Sequence, residues 1–141
     1  MFCPPTIILI VDREGEVLEL LRTASESIDY VVLEAKTGEE ALGVLSQLKS
    51  HIDIMIIDLN LCIEDGAFMT LVAIFASRMP TTKIIVKTSR HDTPFLEQVT
   101  SLGVDATVLK PITKEQLLKT VQATLSERRR RSAGVSAGTA A

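Results

Sequence analysis

Five short apolar runs, rich in β-branched residues, alternate along this chain with stretches of helical periodicity. The first run, TIILIV at Thr6–Val11, is apolar throughout, which is typical of a strand buried on both faces. Strands that alternate with helices indicate right-handed crossovers and a parallel sheet covered by helices on both sides. The predicted strands are Thr6–Val11, Tyr30–Glu34, Asp53–Ile57, Lys83–Val86 and Ala106–Leu109.

Apolar stripes predict a helix after each strand. Two capping boxes, Thr37–Glu40 and Thr113–Gln116, mark helix N-termini, because the threonine hydroxyl can accept a hydrogen bond from the amide three residues later. Gly103 is predicted to end the fourth helix. The predicted helices are Glu14–Ala24, the stripe Ala41–Leu48 after Thr37, Ala67–Ser77, Thr93–Leu102 and the stripe Leu117–Leu125.

The order of elements, βαβαβαβαβα, predicts an α/β protein. Five strands in about 125 residues suit a flavodoxin-like parallel sheet of order 2-1-3-4-5 better than a six-stranded dinucleotide-binding sheet. We therefore expect a (βα)5 three-layer sandwich. Residues 1–127 are expected to form the domain, and residues 128–141, an arginine run followed by small residues, to form a tail or linker.

Composition excludes several other classes of protein. The chain has 141 residues, the size of one domain, and its two cysteines, Cys3 and Cys62, are too few for a disulfide framework. No apolar run approaches the roughly 20 residues that span a bilayer, so we expect a cytoplasmic protein without a membrane contact. The net charge is −3 although Arg128–Arg131 add four positive charges, so the body is acidic and is not expected to bind nucleic acid.

Polar residues lie close after four of the predicted strands. Asp12 follows the first strand, Asp58 the third, Thr88 the fourth and Lys110 the fifth. These strands are neighbours in the 2-1-3-4-5 order, and the carboxyl ends of parallel strands hold the site in such sheets. Each residue alone has a plainer interpretation as a helix cap, a turn former or a solvated side chain. Together they favour one shallow pocket.

A pocket of this composition is suited to phosphoryl transfer. Carboxylates bind Mg²⁺ through oxygen, an aspartate can attack phosphorus, and a lysine opposite it binds a phosphate oxygen as a point charge. The chain has no GxGxxG motif, no phosphate-binding loop after the first strand and no DxDxT pattern. An autonomous enzyme is therefore not expected, and at most the chain would phosphorylate and dephosphorylate itself on Asp58.

The chain resembles the receiver domain of two-component signalling proteins from about Thr6 to Leu125. The resemblance rests on IILIVDRE, TGEEAL, IDIMIIDLNL followed by Asp65-Gly66, IIVKTS and GVDATVLKP. It implies that Asp58 is the phosphoacceptor and that Thr88 and Lys110 are the switch hydroxyl and the phosphate-sensing lysine. It also implies a cis Lys110–Pro111 bond. The implied Mg²⁺ ligands are Asp12, Asp58 and the backbone carbonyl of Asn60.

The sequence departs from the family pattern at several positions. Arg13 stands where receivers usually carry a second acidic residue, and a guanidinium cannot bind Mg²⁺. We expect Arg13 to pair with Asp12 or Asp58 and to weaken the metal site; whether it replaces the cation or marks a simple loss stays open. Further departures are Thr107 in place of an aromatic switch residue, Cys62 in place of a proline, and Arg90 and His91 after Thr88-Ser89.

Two functions of different classes follow from these observations. The first is a phosphoacceptor receiver that takes phosphate from a histidine kinase or phosphotransfer protein on Asp58 and switches a protein interaction face beside strand five. The alternative is a degenerate receiver that acts as a phosphorylation-independent interaction module. The expected downstream partner is another protein or an output domain outside this chain. A homodimer through the strand-five face is a family-level analogy only.

Overall fold

The structure is a computed structural model that describes residues 5–24, 30–47, 51–60, 81–89, 97, 100, 101 and 103–138. Within these ranges the strands form one parallel sheet of order β2-β1-β3-β4-β5, which confirms the predicted flavodoxin-like fold class. The strands are β1 (Thr6–Val11), β2 (Tyr30–Ala35), β3 (Ile54–Asp58), β4 (Lys83–Thr88) and β5 (Ala106–Leu109). The three helices with described bounds are α1 (Glu16–Ala24), α2 (Gly38–Gln47) and α3 (Lys114–Gly138).

The strands place alternate side chains on the two faces of the sheet, and each face has its own apolar core. On one face, Ile8, Ile10 and Ile56 pack with residues of α1 and α3, among them Leu21 and Leu117. On the other face, Leu9, Val11, Met55 and Ile57 pack with Ala41 of α2. Because both faces are covered, β3 and β4 are buried at every position.

In both predicted capping boxes the threonine hydroxyl caps the helix as expected. The amide of Glu40 donates to Thr37 Oγ1 at 3.0 Å, and the amide of Gln116 donates to Thr113 Oγ1 at 3.1 Å. The reciprocal bond of the first box goes to the preceding residue, because Glu40 Oε1 accepts from the amide of Lys36 rather than from that of Thr37. Side-chain oxygens therefore satisfy amides that the first helical turn leaves unpaired.

The predicted strand bounds differ from the observed ones mainly at the carboxyl ends. Strand β3 begins and ends one residue later than predicted, and β4 continues two residues further, to Thr88. The backbone ladder explains the extension, since Asp58 is in register with Lys87, and Thr88 with Leu109. Helix α1 begins at Glu16 rather than Glu14, because the Asp12 carboxylate accepts the Glu14 amide and holds a turn there.

Two predicted helices fall largely outside the described residues. The segment Ala67–Ser77 lies entirely outside them, and of Thr93–Leu102 only residues 97, 100 and 101 are described, all helical. Gly103 has a φ of 110°, and its amide donates to the carbonyl of Thr100, as expected of a residue that ends a helix.

Helix α3 continues through the arginine run to Gly138. The backbone of the expected tail is therefore helical over residues 128–138. The division into a domain of residues 1–127 and a tail of residues 128–141 stays a prediction. Among the helices of the described segments, none is both long and apolar enough to cross a membrane.

Two glycines allow a matched test of backbone conformation. A Cβ added at either Gly43, within α2, or Gly103 would meet no atom within 4 Å. We expect Gly43→Ala to raise the free energy of unfolding by up to about 1 kcal/mol, because alanine favours the helix. We expect Gly103→Ala to lower it by about 1–3 kcal/mol, because its φ of 110° strains any L-residue. Chemical denaturation of both variants measures the difference, and equal effects would contradict the assigned Gly103 conformation.

Candidate functional site

The predicted pocket lies at the carboxyl edge of the sheet. Asp12 directly follows β1, Asp58 ends β3, and both are buried. Lys110 follows β5, and its Nζ lies 3.3 Å from Asp58 Oδ2. Thr88 ends β4, where it is buried and its carbonyl accepts the amide of Lys110 at 2.9 Å. The structure therefore brings Asp12, Asp58, Thr88 and Lys110 to one edge, as the strand order predicted.

Each of the two carboxylates is positioned by its own local turn, and the two turns are of the same kind. Asp12 Oδ1 accepts the amide of Glu14 and Asp58 Oδ1 accepts the amide of Asn60, both at 2.9 Å. An aspartate that accepts the amide two residues later forms an Asx-turn, which fixes its side chain without a distant partner. In both residues the second oxygen, Oδ2, contacts the lysines of the pocket.

Lys87 is the pocket residue that sequence reasoning missed. Its side chain is fully buried near the end of β4, and its Nζ lies 2.6 Å from Asp12 Oδ2. The same Nζ lies 3.7 Å from Asp58 Oδ2 and 3.9 Å from Glu14 Oε2. A signal was present in IIVKTS, because an ammonium in a strand that is buried on both faces needs a carboxylate partner.

The charges of the pocket explain the direction of two pKa shifts. Burial on its own would lower the pKa of Lys87, but the hydrogen bond and charge of Asp12, with the charges of Asp58 and Glu14, outweigh it and raise the pKa. Lys87 is therefore an ammonium at neutral pH. Burial raises the pKa of the Asp12 carboxyl, against the lowering effect of Lys87 and of the Glu14 amide. The ionised form of Asp12 thus depends on the ammonium beside it.

Arg13 lies between two pocket residues in sequence, but its side chain is exposed. The ion pairs described for the Asp12 and Asp58 carboxylates involve Lys87 and Lys110. Lys87 of β4 places a positive charge beside both carboxylates, and the pairing of Arg13 with Asp12 or Asp58 stays a prediction. The weakening of a metal site by Arg13 stays a prediction.

The donor set of the pocket does not suit Mg²⁺. This ion takes about six oxygen ligands in near-octahedral geometry at about 2.1 Å, of which several are usually water molecules and one or two are carboxylates. Here the Lys87 ammonium lies against Asp12 and near Asp58, and an ammonium only donates hydrogen bonds. Within the described segments, no group of three His, Cys, Asp or Glu residues could hold a metal ion. The Lys87 ammonium therefore competes with a metal ion for Asp12 and Asp58, and the ligand roles that the resemblance implied for Asp12, Asp58 and the Asn60 carbonyl stay predictions.

Several other sequence expectations concern the surroundings of the pocket. The Lys110–Pro111 peptide bond is cis, as expected. Thr107, which stands where the family usually has an aromatic switch residue, is exposed on β5. Cys62, Asp65-Gly66, Arg90 and His91 lie outside the described residues.

Comparison with known proteins identifies the class to which this fold and pocket belong. The family profile described as "Response regulator receiver domain" matches residues 8–122. The chain belongs to this family, which serves two-component signalling and whose members generally bind Mg²⁺ at the acidic pocket.

Curated relatives are longer than this chain. It is 31% identical to the transcriptional regulatory protein GlrR of Escherichia coli K12 over 123 residues, which are 87% of this chain and 27% of GlrR. It is 32% identical to the response regulator SaeR of Staphylococcus epidermidis over 114 residues, which are 80% of this chain and 47% of SaeR. The chain thus spans between about a quarter and a half of these relatives.

Solved structures agree with the fold. The chemotaxis response regulator CheY4 of Vibrio cholerae superposes with a TM-score of 0.72 at 25% identity, covering 86% of this chain and 100% of CheY4. A response regulator from Thermotoga maritima has a TM-score of 0.74 at 24% identity, covering 87% of this chain and 99% of its own. The second likeness concerns the fold alone.

The Asp12–Lys87 pair predicts a strong energetic coupling. We expect Asp12→Ala and Lys87→Met each to lower the free energy of unfolding by about 3–5 kcal/mol, because each leaves a buried charge without its nearest partner. The double variant should lose much less than the sum of the two, because neither charge remains. Urea denaturation of all four chains measures the coupling.

Lys83 supplies the control for this cycle. It is buried at the opposite end of β4, where its Nζ lies 3.5 Å from Asp105. The effects of Asp12→Ala and Lys83→Met should therefore add to within about 0.5 kcal/mol. If the changes in the free energy of unfolding for Asp12→Ala and Lys87→Met also added, the described contact between Asp12 and Lys87 would be contradicted.

Proposed function

We propose that this receiver domain accepts a phosphoryl group from a histidine kinase or phosphotransfer protein on Asp58. The observation that carries the proposal is the environment of one carboxylate. Asp58 is buried at the end of β3, its Oδ1 is fixed by the Asn60 amide, and its Oδ2 lies 3.3 Å from Lys110 Nζ. Family membership supports the assignment, since the chain matches receivers over residues 8–122.

The proposed step needs a nucleophile, and it needs positive charge to stabilise the oxygens of the transferred phosphoryl group. An oxygen of Asp58 attacks phosphorus, the phosphorus–nitrogen bond of the phosphohistidine breaks, and its electron pair stays on the imidazole nitrogen of the donor. Lys110 and Lys87, at 3.3 Å and 3.7 Å from Asp58 Oδ2, supply positive charge beside the reacting oxygen. Positioning and electrostatic stabilisation are the main contributions that proteins make to phosphoryl transfer.

The proposed output is a change in protein binding at β5. Leu109 is 42% exposed on this edge strand, and it directly precedes Lys110, which contacts the phosphoacceptor. A movement of Lys110 toward a new phosphoryl group would therefore act on the backbone of the exposed strand. We expect the partner to be a downstream protein or an output domain, and phosphorylation to shift an existing equilibrium between two states.

The Lys87 ammonium favours a second candidate function. Its contacts with Asp12 and Asp58 already offset part of the negative charge of the pocket, so the domain could hold one state without modification. In that case it would be a phosphorylation-independent interaction module.

Intact mass after incubation with acetyl phosphate separates the two candidates. Acetyl phosphate is a small donor whose acyl oxygen–phosphorus bond breaks to release acetate. We expect the unmodified chain to gain one phosphoryl group and Asp58→Ala to gain none, because the label requires the Asp58 carboxylate.

Asp53→Ala is the matched control for a lost carboxylate. Asp53 lies just before the same strand, at its opposite end, where it accepts the amide of Ile7. This variant should still be labelled. A failure to label the unmodified chain would support the interaction module, and label on Asp58→Ala would overturn the assignment of Asp58.

A further inference from the structure

The ammonium of Lys87 occupies the centre of the acidic pocket. Its Nζ lies within 4 Å of three carboxylate oxygens: Asp12 Oδ2 at 2.6 Å, Asp58 Oδ2 at 3.7 Å and Glu14 Oε2 at 3.9 Å. Asp12 and Asp58 belong to the ends of β1 and β3, which are neighbours in the sheet. The side chain of Lys87 itself is fully buried, so its charge is shielded from solvent and is compensated by the pocket carboxylates.

Lys83 shows that this arrangement is particular to Lys87. Both lysines are buried in β4 and each contacts a carboxylate. The acidic partner described for Lys83 is Asp105, at 3.5 Å, and the Asp105 carboxylate also accepts the amide of Ile84. Lys83 therefore forms a pair at the amino end of the strand, whereas Lys87 lies among several carboxylates at the carboxyl end, where the site is.

We propose that the Lys87 ammonium is the resident cation of this receiver, and that it takes the place of a divalent metal ion. It offsets one of the negative charges of Asp12 and Asp58, with Lys110 as the second cation at Asp58, and it excludes Mg²⁺ by occupying the space between the carboxylates and by charge repulsion. Like charges about 4 Å apart repel strongly when they are partly shielded from water, so a second cation beside this ammonium is strongly disfavoured.

The proposal has one consequence that rests on the proposed function. If Asp58 accepts phosphate, the transfer needs no added metal ion, because Lys87 and Lys110 already face its Oδ2. The exclusion of Mg²⁺ itself does not depend on phosphorylation and can be measured without a phosphodonor.

Thermal unfolding of the full chain with and without Mg²⁺ tests the exclusion. The comparison uses about 10 mM MgCl₂ against NaCl of the same ionic strength, since a ligand that binds the folded state raises Tm. The unmodified chain is expected to shift by less than about 1 °C. Lys87→Met and Lys87→Gln are expected to unfold at lower temperature without Mg²⁺ and to gain about 3 °C or more with it, because the space between Asp12 and Asp58 is then open to a cation and Asp12 has lost its nearest one.

Lys83→Met is the matched control. It also removes a buried lysine of β4 from a carboxylate partner, so it should lower Tm, but Mg²⁺ should not restore it. A gain by the unmodified chain equal to that of the Lys87 variants would overturn the proposal. So would the absence of a gain in both Lys87 variants, or an equal gain in Lys83→Met.

Mn²⁺ titration followed by amide NMR provides a test on the unmodified chain, which needs no variant to fold. The proposal expects no selective broadening of the Asp12, Asp58 and Asn60 amides at millimolar Mn²⁺, and selective broadening of these amides would overturn it.

Intact mass with acetyl phosphate and EDTA then separates the two proposals. A phosphoryl group gained in EDTA supports both the phosphoacceptor role of Asp58 and the cation role of Lys87. A phosphoryl group gained only with Mg²⁺ overturns the claim that the transfer needs no metal ion. No label under any condition overturns the phosphoacceptor role, while the Tm comparison still decides the role of Lys87.

Discussion

The contact between the Lys87 ammonium and the Asp12 carboxylate connects the fold of this chain with its site. Both groups are buried, and each is the nearest charged partner described for the other. The contact requires β1, β3 and β4 to lie side by side with their carboxyl ends together, which the parallel order β2-β1-β3-β4-β5 provides. The pocket is therefore a product of sheet topology, and the apolar packing that builds the sheet also determines the spacing of its charges.

Two lysines and the neighbouring carboxylates determine the charge balance of the pocket. Family members generally bind Mg²⁺ at this acidic site, whereas here two lysines face the Asp58 carboxylate. A fixed ammonium and a metal ion both compensate negative charge, but they differ in one physical respect. A metal ion adds ligand exchange and responds to its concentration, while a lysine is always present and positioned by the strand that carries it. The same fold can thus hold a site whose charge balance does not depend on its surroundings.

Sequence reasoning predicted most of the fold, and it predicted that Asp12, Asp58, Thr88 and Lys110 lie at one edge of the sheet. The strands, the helix starts and these four positions all leave signals that are local in the sequence. The continuous apolar run of Thr6–Val11 indicated a buried strand, and the threonine of each capping box marked the start of a helix. Asp12, Asp58 and Lys110 could be found because each adjoins such a strand. Strand ends were less well predicted. The backbone register that extends a strand, such as that of Asp58 in β3 beside Lys87 in β4, depends on the neighbouring strand rather than on local preference.

The amino-acid sequence by itself determined the alternation of strands and helices, and with it the parallel sheet and the edge where polar residues collect. These properties follow from the periodicity of apolar residues, which is local and readable along the chain. Only the tertiary structure decided which positive charge faces the carboxylates. Arg13 adjoins Asp12 in sequence but is exposed, whereas Lys87 is far from Asp12 in sequence and lies 2.6 Å from its Oδ2. The physical reason is that β4 directs the Lys87 side chain into the interior, where a charge must find a partner, while Arg13 lies in the loop after β1 and its side chain is exposed to solvent.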